Sequence, residues 1–242
     1  MMRCTRAEVV ESPWLAAVRT AAGAEQAREQ GQIYAFFAIE GMAAIGEDLT
    51  GINRYADFGA RIGMLTWNET NALATGAGGD RYSPLTDLGQ QAVTRMQNLG
   101  MLPDVSHLND GGFADVIHLA RGPVIASHSN CRALCDVRRN LTDDQLRALA
   151  QTGGTVGLNL YPPFLGGKAD FDTLRAHLEH MLTLCGEDHV ALGGDLDGCD
   201  ELARGFTDVS SWASFYAYLQ AAGYPADLLD RIFFRNLLQL LQ

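Results

Sequence analysis

Positive charge is scarce in this chain. Its 18 Lys and Arg residues are outnumbered by 29 Asp and Glu residues, and the formal net charge is −11 at pH 7. Nucleic-acid phosphates and anionic lipids repel a surface of this sign, so we predict no nucleic-acid partner and no membrane partner. Long apolar runs are missing as well, since none approaches the roughly 20 residues that a membrane-spanning helix needs.

Cysteine is also sparse. The five cysteines are odd in number and scattered, which argues against a disulfide framework; they are Cys4, Cys131, Cys135, Cys185 and Cys199. The stretch 1–14 is charged and lacks the apolar core of a secretory signal, so both features predict a reducing, cytoplasmic location. We interpret Cys131 and Cys135 as buried helical thiols instead of a metal pair, because no second Cys pair accompanies them.

Low-complexity tracts and solenoid-length repeats are absent too. A chain of 242 residues with 47% hydrophobic content fits one barrel-sized domain as well as two smaller ones. We predict a single domain over 1–242, because the same alternation of elements continues throughout. Within it, 1–31 should be a helical N-terminal segment, with one long amphipathic helix from about Ala7 to Gln30, and 32–242 should be the core.

Six short apolar runs, rich in β-forming residues, alternate with stretches of helical periodicity. The runs cover residues 33–39, 62–67, 101–106, 123–127, 155–161 and 189–194. The stretch 84–100 shows typical helix punctuation, with Pro84 and Thr86 at its start and Gly100 at its end. Strand–helix units with nearly continuous apolar strands predict a parallel sheet covered by helices.

Each predicted strand is followed, at or just past its end, by a residue with a chemically capable side chain. These residues are Glu40, Trp67 with Asn68, His107, His128, Tyr161 and Asp195. Such residues at the carboxyl ends of successive parallel strands are typical of a (β/α)₈ barrel enzyme, whereas a doubly wound sheet gathers them at one switch point. We therefore predict an α/β, TIM-barrel-like fold that is incomplete, with about six of the eight parallel strands.

Glu40, His107, His128 and Asp195 on one rim predict a site for a divalent ion such as zinc. A bound ion would polarise a carbonyl and activate water, and Asp195 would orient that water and handle its proton. A single His at a strand end is more often a structural residue, but two of them beside two carboxylates favour a metal site. His118 should lie outside this site.

At these residues the sequence resembles the membrane (renal) dipeptidase family, zinc peptidases of the amidohydrolase-like barrel group. The resemblance runs from Ile33 to the C-terminus and rests on an ordered set of segments: "AIEG" (38–41), "YADFGARIGMLTWNETNALATG" (55–76), "PLTDLGQQAVTRMQNLGMLPDVSH" (84–107), "IASHSNCRAL" (125–134), "RRNLTDDQLRALAQTGGTVGLNLYP" (138–162) and "ALGGDLDG" (191–198).

The resemblance implies a role for several residues. Glu40 would bridge two zinc ions, and His107 and His128 would complete the second zinc. Asp195 would be the acid/base partner of the bridging water. Arg139 would bind the carboxylate of a dipeptide substrate through its planar guanidinium, with Trp67 and Tyr161 also lining the substrate site. A structural salt bridge is the alternative for Arg139, and the neighbouring Arg138 competes for the same assignment.

Two departures from the family pattern affect these expectations. The family opens with a His-x-Asp pair that holds the first zinc, and no His precedes His107 here, so we expect at most one tightly held zinc and weak activity. Trp67 stands where many members carry His, and an indole neither binds a metal nor titrates near neutrality. Two missing strands would also expose sheet edges and apolar interior, which an N-terminal helix, a second subunit in a homo-oligomer or closer strands should cover.

Three hypotheses of function therefore stay open. The first is a metallodipeptidase that lacks the N-terminal segment of its family. The second is another amide hydrolase that uses one zinc at Glu40, His107 and His128, since three protein ligands and a water suffice for a catalytic zinc. The third is an incomplete barrel that acts as a binding or structural protein.

Overall fold

The computed structural model describes the backbone of residues 2–242 and the side chains of residues 4–5 and 7–242. Its main sheet has six strands in the order β3-β4-β5-β6-β7-β8, and every neighbouring pair is parallel. The strands are β3 (Phe37–Ile39), β4 (Ala60–Met64), β5 (Leu102–Asp104), β6 (Ile125–Ala126), β7 (Thr155–Leu158) and β8 (Val190–Leu192). Each of the six predicted runs overlaps one of them, which confirms the parallel sheet.

Helices follow the strands as the sequence pattern predicts. They are α1 (Met2–Glu11), α2 (Ala21–Glu29), α3 (Thr50–Phe58), α4 (Asp87–Asn98), α5 (Asp110–Leu119), α6 (Asp143–Gln151), α7 (Pro162–Leu165), α8 (Phe171–Cys185), α9 (Ser211–Ala221), α10 (Ala226–Asp230) and α11 (Asn236–Leu240). Thr86 caps α4 by accepting the Gly89 N–H, and Thr142 and Gln145 form a capping box on α6. The predicted helix punctuation at Thr86 is therefore confirmed.

The N-terminal segment differs from its prediction. A single helix from Ala7 to Gln30 is wrong, because the strand β1 (Leu15–Ala17) separates α1 from α2. Pro13 disfavours helical geometry at the residue before it and has no N–H to donate, so α1 ends there. Thr20 then starts α2 by accepting the Gly23 N–H at 3.2 Å.

The strand β1 pairs in parallel with β2 (Ile33–Ala35) in a separate two-stranded sheet. Only Phe36 separates β2 from β3, so the run 33–39 pairs with β1 through its first half and with β4 through its second. This run links the N-terminal strand to the main sheet.

The C-terminal helix α11 and Leu241, which follows it, cover apolar side chains of the main sheet. Ile62, Leu102 and Ile125 pack around Leu241, which is fully buried, and around the neighbouring side chains Phe36, Leu237 and Leu240. The Ala21 N–H donates to the Leu241 carbonyl at 2.7 Å, so the start of α2 is tied to the end of the chain. The sequence led us to expect an N-terminal helix, a second subunit or closer strands in this role.

A charged cluster at the start of α5 joins three parts of the fold. Asp110 accepts hydrogen bonds from Arg81 Nε at 2.6 Å, from both Arg132 Nη atoms at 2.8 Å and from Gln145 Nε2 at 3.0 Å. Burial by itself would raise the pKa of Asp110, but the bonds from Arg132, Arg81 and Gln145 outweigh it and hold that pKa well below its usual range.

We expect Asp110→Asn to lower the free energy of unfolding by roughly 2 kcal/mol at pH 7, because it removes hydrogen bonds to a charged group. A folded-state pKa below the unfolded value stabilises the fold above the unfolded pKa of about 3.9, and this stabilisation is lost as the pH falls. The difference between wild type and variant, measured by urea unfolding, should therefore shrink from pH 7 to pH 3. Asp144→Asn is the control, since Asp144 is 98% exposed in its pair with Arg147. Equal effects of the two variants would contradict the prediction.

Candidate metal and substrate site

Glu40, His107 and His128 meet at the carboxyl edge of the main sheet. Glu40 directly follows β3, and the two histidines follow β5 and β6 within three residues. Glu40 Oε1 lies 2.9 Å from His107 Nε2 and 3.7 Å from His128 Nε2, and the two Nε2 atoms are 2.9 Å apart. Parallel strands place their carboxyl ends at one edge, which is why residues distant in sequence converge here as expected.

Glu40 Oε1, His107 Nε2 and His128 Nε2 form a triangle of donor atoms, called the metal triangle below, and their chemistry suits a metal ion. His107 Nδ1 lies 3.0 Å from Asn68 Oδ1, an oxygen that only accepts, so His107 Nδ1 carries the proton and Nε2 presents a lone pair. In the neutral imidazole that lone pair faces a carboxylate oxygen, so the 2.9 Å contact needs either a proton or a metal cation between the two atoms. Ligands of one zinc are spaced roughly 3–4 Å apart, so the triangle fits such an ion.

The surroundings keep the donors in the states that bind metal. Burial, followed by the charges of Arg139 and His107, lowers the pKa of His128 to about 3, so this imidazole is neutral at neutral pH. The hydrogen bond with His107 lowers the pKa of Glu40 against the opposing effect of its partial burial. His128 therefore offers a neutral nitrogen donor, and Glu40 offers an anionic carboxylate.

Arg139 lies beside this triangle, and some of its N–H groups have no hydrogen-bond partner. Its side chain is buried, and Nη2 is 3.4 Å from His107 Nε2 and from the His128 carbonyl. Its Nε and Nη1 atoms are buried without a hydrogen-bond partner, and within residues 2–242 no carboxylate forms an ion pair with it. The competing Arg138 is exposed and donates to the Gly79 carbonyl at 2.8 Å. An anionic ligand would satisfy the free donors of Arg139, a need that the salt-bridge alternative does not explain.

Asp195 follows β8 and lies on the same rim. Burial raises its pKa, the negative charge of Glu40 raises it further, and His107 and Arg139 oppose this effect. Asp195 adopts a left-handed backbone conformation with φ of 52°, which is uncommon for a residue with a side chain. A raised pKa moves the proton exchange of a carboxyl group toward neutral pH.

The two predicted aromatic site residues lie at different distances from the triangle. Trp67 is 53% exposed, and its ring centroid lies 5.9 Å from that of His107, so it forms an open wall of the site. The ring centroids of Tyr161 and Phe164 are 4.9 Å apart, and the Phe164 ring centroid in turn lies 5.3 Å from the Arg139 guanidinium carbon. Tyr161 therefore reaches the site only through Phe164, a residue that sequence reasoning missed.

The remaining histidines and cysteines have packing roles or lie apart. His177 bonds the Cys131 N–H and the Leu165 carbonyl, and the exposed His118 lies outside the three-residue metal-capable group. The interpretation of Cys131 and Cys135 as helical thiols is wrong in its helical part, because Cys131 forms a β-bridge with Leu141 and Cys135 lies in a bend. Cys131 is buried as expected, while Cys135 is partly exposed. The tight turn around Asn130 and Asn140 replaces the helix there.

Across the described residues, every helix is too short or too polar to cross a bilayer.

A parallel α/β sheet with metal donors and a buried cationic side chain at its carboxyl edge is the arrangement of a TIM-barrel-like metallohydrolase. The chain belongs to the membrane dipeptidase family, peptidase family M19, whose model matches residues 1–242. Its members are metallodipeptidases, and the resemblance seen in the sequence is thereby confirmed.

Individual relatives agree with this assignment. An uncharacterized protein from the pqqA 5′ region of Klebsiella pneumoniae is 36% identical over 238 residues, which covers 92% of this chain and 86% of that protein. An uncharacterized dipeptidase of Schizosaccharomyces pombe is 33% identical over 76% of this chain, but this chain spans only 46% of it. A solved metallopeptidase of Rhodobacter sphaeroides, liganded with a phosphinate mimic of the dipeptide L-Ala-D-Ala, is 30% identical with a TM-score of 0.92 and matches 99% of this chain and 71% of its own.

We expect Gly198→Ala to displace the Asp195 carboxylate, because a Cβ at Gly198 would lie 2.0 Å from Asp195 Oδ1. Since Asp195 is the acid/base residue that the sequence leads us to expect, dipeptide hydrolysis should then fall on the order of 10²-fold. The melting temperature should stay unchanged, since Gly198 is exposed. Gly122→Ala is the control, because a Cβ there meets nothing within 4 Å. A crystal structure of the variant with Asp195 in its original place would refute this expectation.

Proposed function

We propose that this chain hydrolyses the peptide bond of dipeptides in a zinc-dependent reaction, with Glu40, His107 and His128 as the zinc ligands. The observation that carries the proposal is the convergence of two buried imidazole nitrogens and one carboxylate oxygen within 3.7 Å of one another. Zinc, when bound, would supply a Lewis acid that polarises the peptide carbonyl and lowers the pKa of a water molecule. Three protein ligands are enough for one such ion.

Arg139 binds the C-terminal carboxylate of the substrate in this proposal. Its unpaired Nε and Nη1 atoms are buried beside the metal donors, where a carboxylate would gain charge-assisted hydrogen bonds. A dipeptide places that carboxylate a fixed short distance from its only peptide bond, which suits a site where both functions are adjacent. The Rhodobacter relative liganded with a dipeptide mimic supports this substrate class.

Asp195 handles the proton of the reaction. It takes a proton from the attacking water as the carbon–oxygen bond forms, and it delivers this proton to the amine nitrogen as the carbon–nitrogen bond breaks. Its raised pKa supports this role. Trp67 offers an apolar wall beside His107, and Tyr161 supports the Arg139 side of the site through Phe164.

A different amide hydrolase is the second candidate. Trp67 is the observation that favours it, because an indole stands where many family members carry a His that contacts the substrate carbonyl. Membership of a hydrolase family speaks against the purely structural role. The cytoplasmic location remains part of the proposal and is supported by five free cysteines, and a homo-oligomer remains a proposal as well.

We expect purified wild-type protein to hold one zinc per chain and to hydrolyse a simple dipeptide, whereas His128→Ala should lose both properties because a nitrogen ligand is gone. Elemental analysis and a ninhydrin assay of a dipeptide panel measure the two. His118→Ala is the matched control, since His118 is exposed and outside the metal-capable group. Full zinc content in His128→Ala would refute the ligand assignment, and zinc binding with turnover only of other amides would favour the second candidate.

Arg139→Lys should lower kcat/KM for dipeptides about 10- to 100-fold, mainly through KM, because an ammonium cannot reproduce the bidentate contact. Zinc content should stay at the wild-type level. Arg138→Lys provides the comparison, since Arg138 is exposed and bonds a backbone carbonyl. Parallel loss of zinc and activity in Arg139→Lys would instead identify Arg139 as a structural residue.

A further inference from the structure

We infer that Asp104 is a positioning residue that acts through Ser106 and Ser127 to decide which nitrogen of His128 carries the proton. This chain of hydrogen bonds keeps His128 Nε2 free of a proton, so that its lone pair points into the space between the three atoms of the metal triangle. The consequence for zinc affinity rests on the proposed function, whereas the consequence for the His128 tautomer does not.

The chain of hydrogen bonds starts at the Oδ1 atom of Asp104. Asp104 is the last residue of β5 and is 2% exposed. Its Oδ1 accepts from the Ser106 N–H at 3.0 Å, from the Ser106 hydroxyl at 2.9 Å and from the Ser127 N–H at 3.1 Å. A hydroxyl has only one proton, so the bond to Asp104 uses the one that Ser106 has.

Ser106 Oγ must therefore accept in its other contacts. It receives the His128 N–H at 3.0 Å, and it lies 3.2 Å from Ser127 Oγ. Because Ser106 has no proton left, the hydroxyl proton in this second contact belongs to Ser127. The direction of the bond between the two serines is thus fixed by Asp104.

Ser127 Oγ lies 2.7 Å from His128 Nδ1 and has already given its proton to Ser106. It can only accept there, so Nδ1 must carry the ring proton of the neutral imidazole. His128 Nε2 is then a lone pair, directed at His107 Nε2 at 2.9 Å and Glu40 Oε1 at 3.7 Å. This is the tautomer that a metal ligand requires.

The opposite direction of the chain is unfavourable. If Ser127 donated to His128 Nδ1, the two serines could share a proton only if Ser106 turned away from Asp104, which would leave Asp104 Oδ1 and Ser106 Oγ facing each other as acceptors at 2.9 Å. If Ser106 kept its bond to Asp104, the two serine oxygens would face each other at 3.2 Å with no proton between them. His128 Nε2 would then carry a proton in the middle of the metal triangle. Ser106 and His128 are 2% and 6% exposed, so bulk water has little access to replace a missing bond.

Ser127→Ala tests the link to the imidazole, and Ser129→Ala is the matched control. Ser129 flanks His128 on its other side, is fully buried, and its hydroxyl has no hydrogen-bond partner. We expect Ser127→Ala to weaken zinc binding about 10- to 100-fold in a chelator competition, as loss of an outer partner of a metal-bound His does, and Ser129→Ala to leave it unchanged. Long-range ¹H–¹⁵N spectra of metal-free protein should show the Nδ1–H tautomer in wild type and Ser129→Ala and a mixture of tautomers in Ser127→Ala.

Ser106→Ala tests whether the direction passes through Ser106, because it removes the hydroxyl that links Asp104 Oδ1 to Ser127 Oγ. It should give the same mixture of tautomers as Ser127→Ala, and the double variant should show no further loss of zinc affinity, since both act through one chain. Asp104→Ala should behave likewise if it folds, and Ser106→Ala decides the question if it does not. An unchanged tautomer in Ser127→Ala or Ser106→Ala overturns the inference. Wild-type protein that binds no zinc would refute the proposed function, while its tautomer would still decide this inference.

Discussion

Close parallel pairing of the strands is the constraint on which the site depends. Where β6 and β7 end, the backbone comes so near that a Cβ at Gly157 would lie 2.0 Å from the Ser127 carbonyl oxygen, and a Cβ at Gly193 would lie 1.9 Å from it. Only glycine permits such an approach. This close approach brings the residues that follow β6, β7 and β8 to one rim. The positions of His128 and Asp195 relative to each other are therefore set by the spacing of the strands and not by contacts between side chains.

The price of this convergence is a set of polar groups that the protein itself does not satisfy. The lone pairs of His107 and His128 and the carboxylate of Glu40 all face the same small space. The buried Nε and Nη1 atoms of Arg139 have no partner within the described chain. Unpartnered buried polar groups cost about 1–3 kcal/mol each, so natural folds keep them mainly where a ligand completes them. The deficits have opposite signs: the triangle calls for a cation and Arg139 for an anion. A dipeptide bound near a metal ion meets the second need directly.

The sequence predicts the sheet and the convergence well because both follow from local patterns. Apolar runs mark the strands, and the residue after each run must lie at the common edge. The stretch around Leu15 could not be interpreted correctly in this way, since its alanines favour a helix locally and its pairing with Ile33 is a contact across the chain. The role of Asp104 was equally hidden. Its place three residues before His107 is visible in the sequence, but the direction of a hydroxyl proton follows only from distances between separate strands.

Proton transfer in the proposed reaction depends on Asp195, because neighbouring groups on the rim do not exchange protons at neutral pH. The environment of His128 lowers its pKa to about 3, and the pKa of Glu40 is lowered by its bond with His107, so neither exchanges protons at neutral pH. Arg139 remains charged, because burial brings its pKa only to about 10. Trp67 has no proton to exchange near neutrality. Among these groups, Asp195 alone has a carboxyl pKa that its surroundings raise toward the working range. The charge of Glu40 contributes to that shift, so the carboxylate that would bind the metal also helps to set the proton affinity of Asp195.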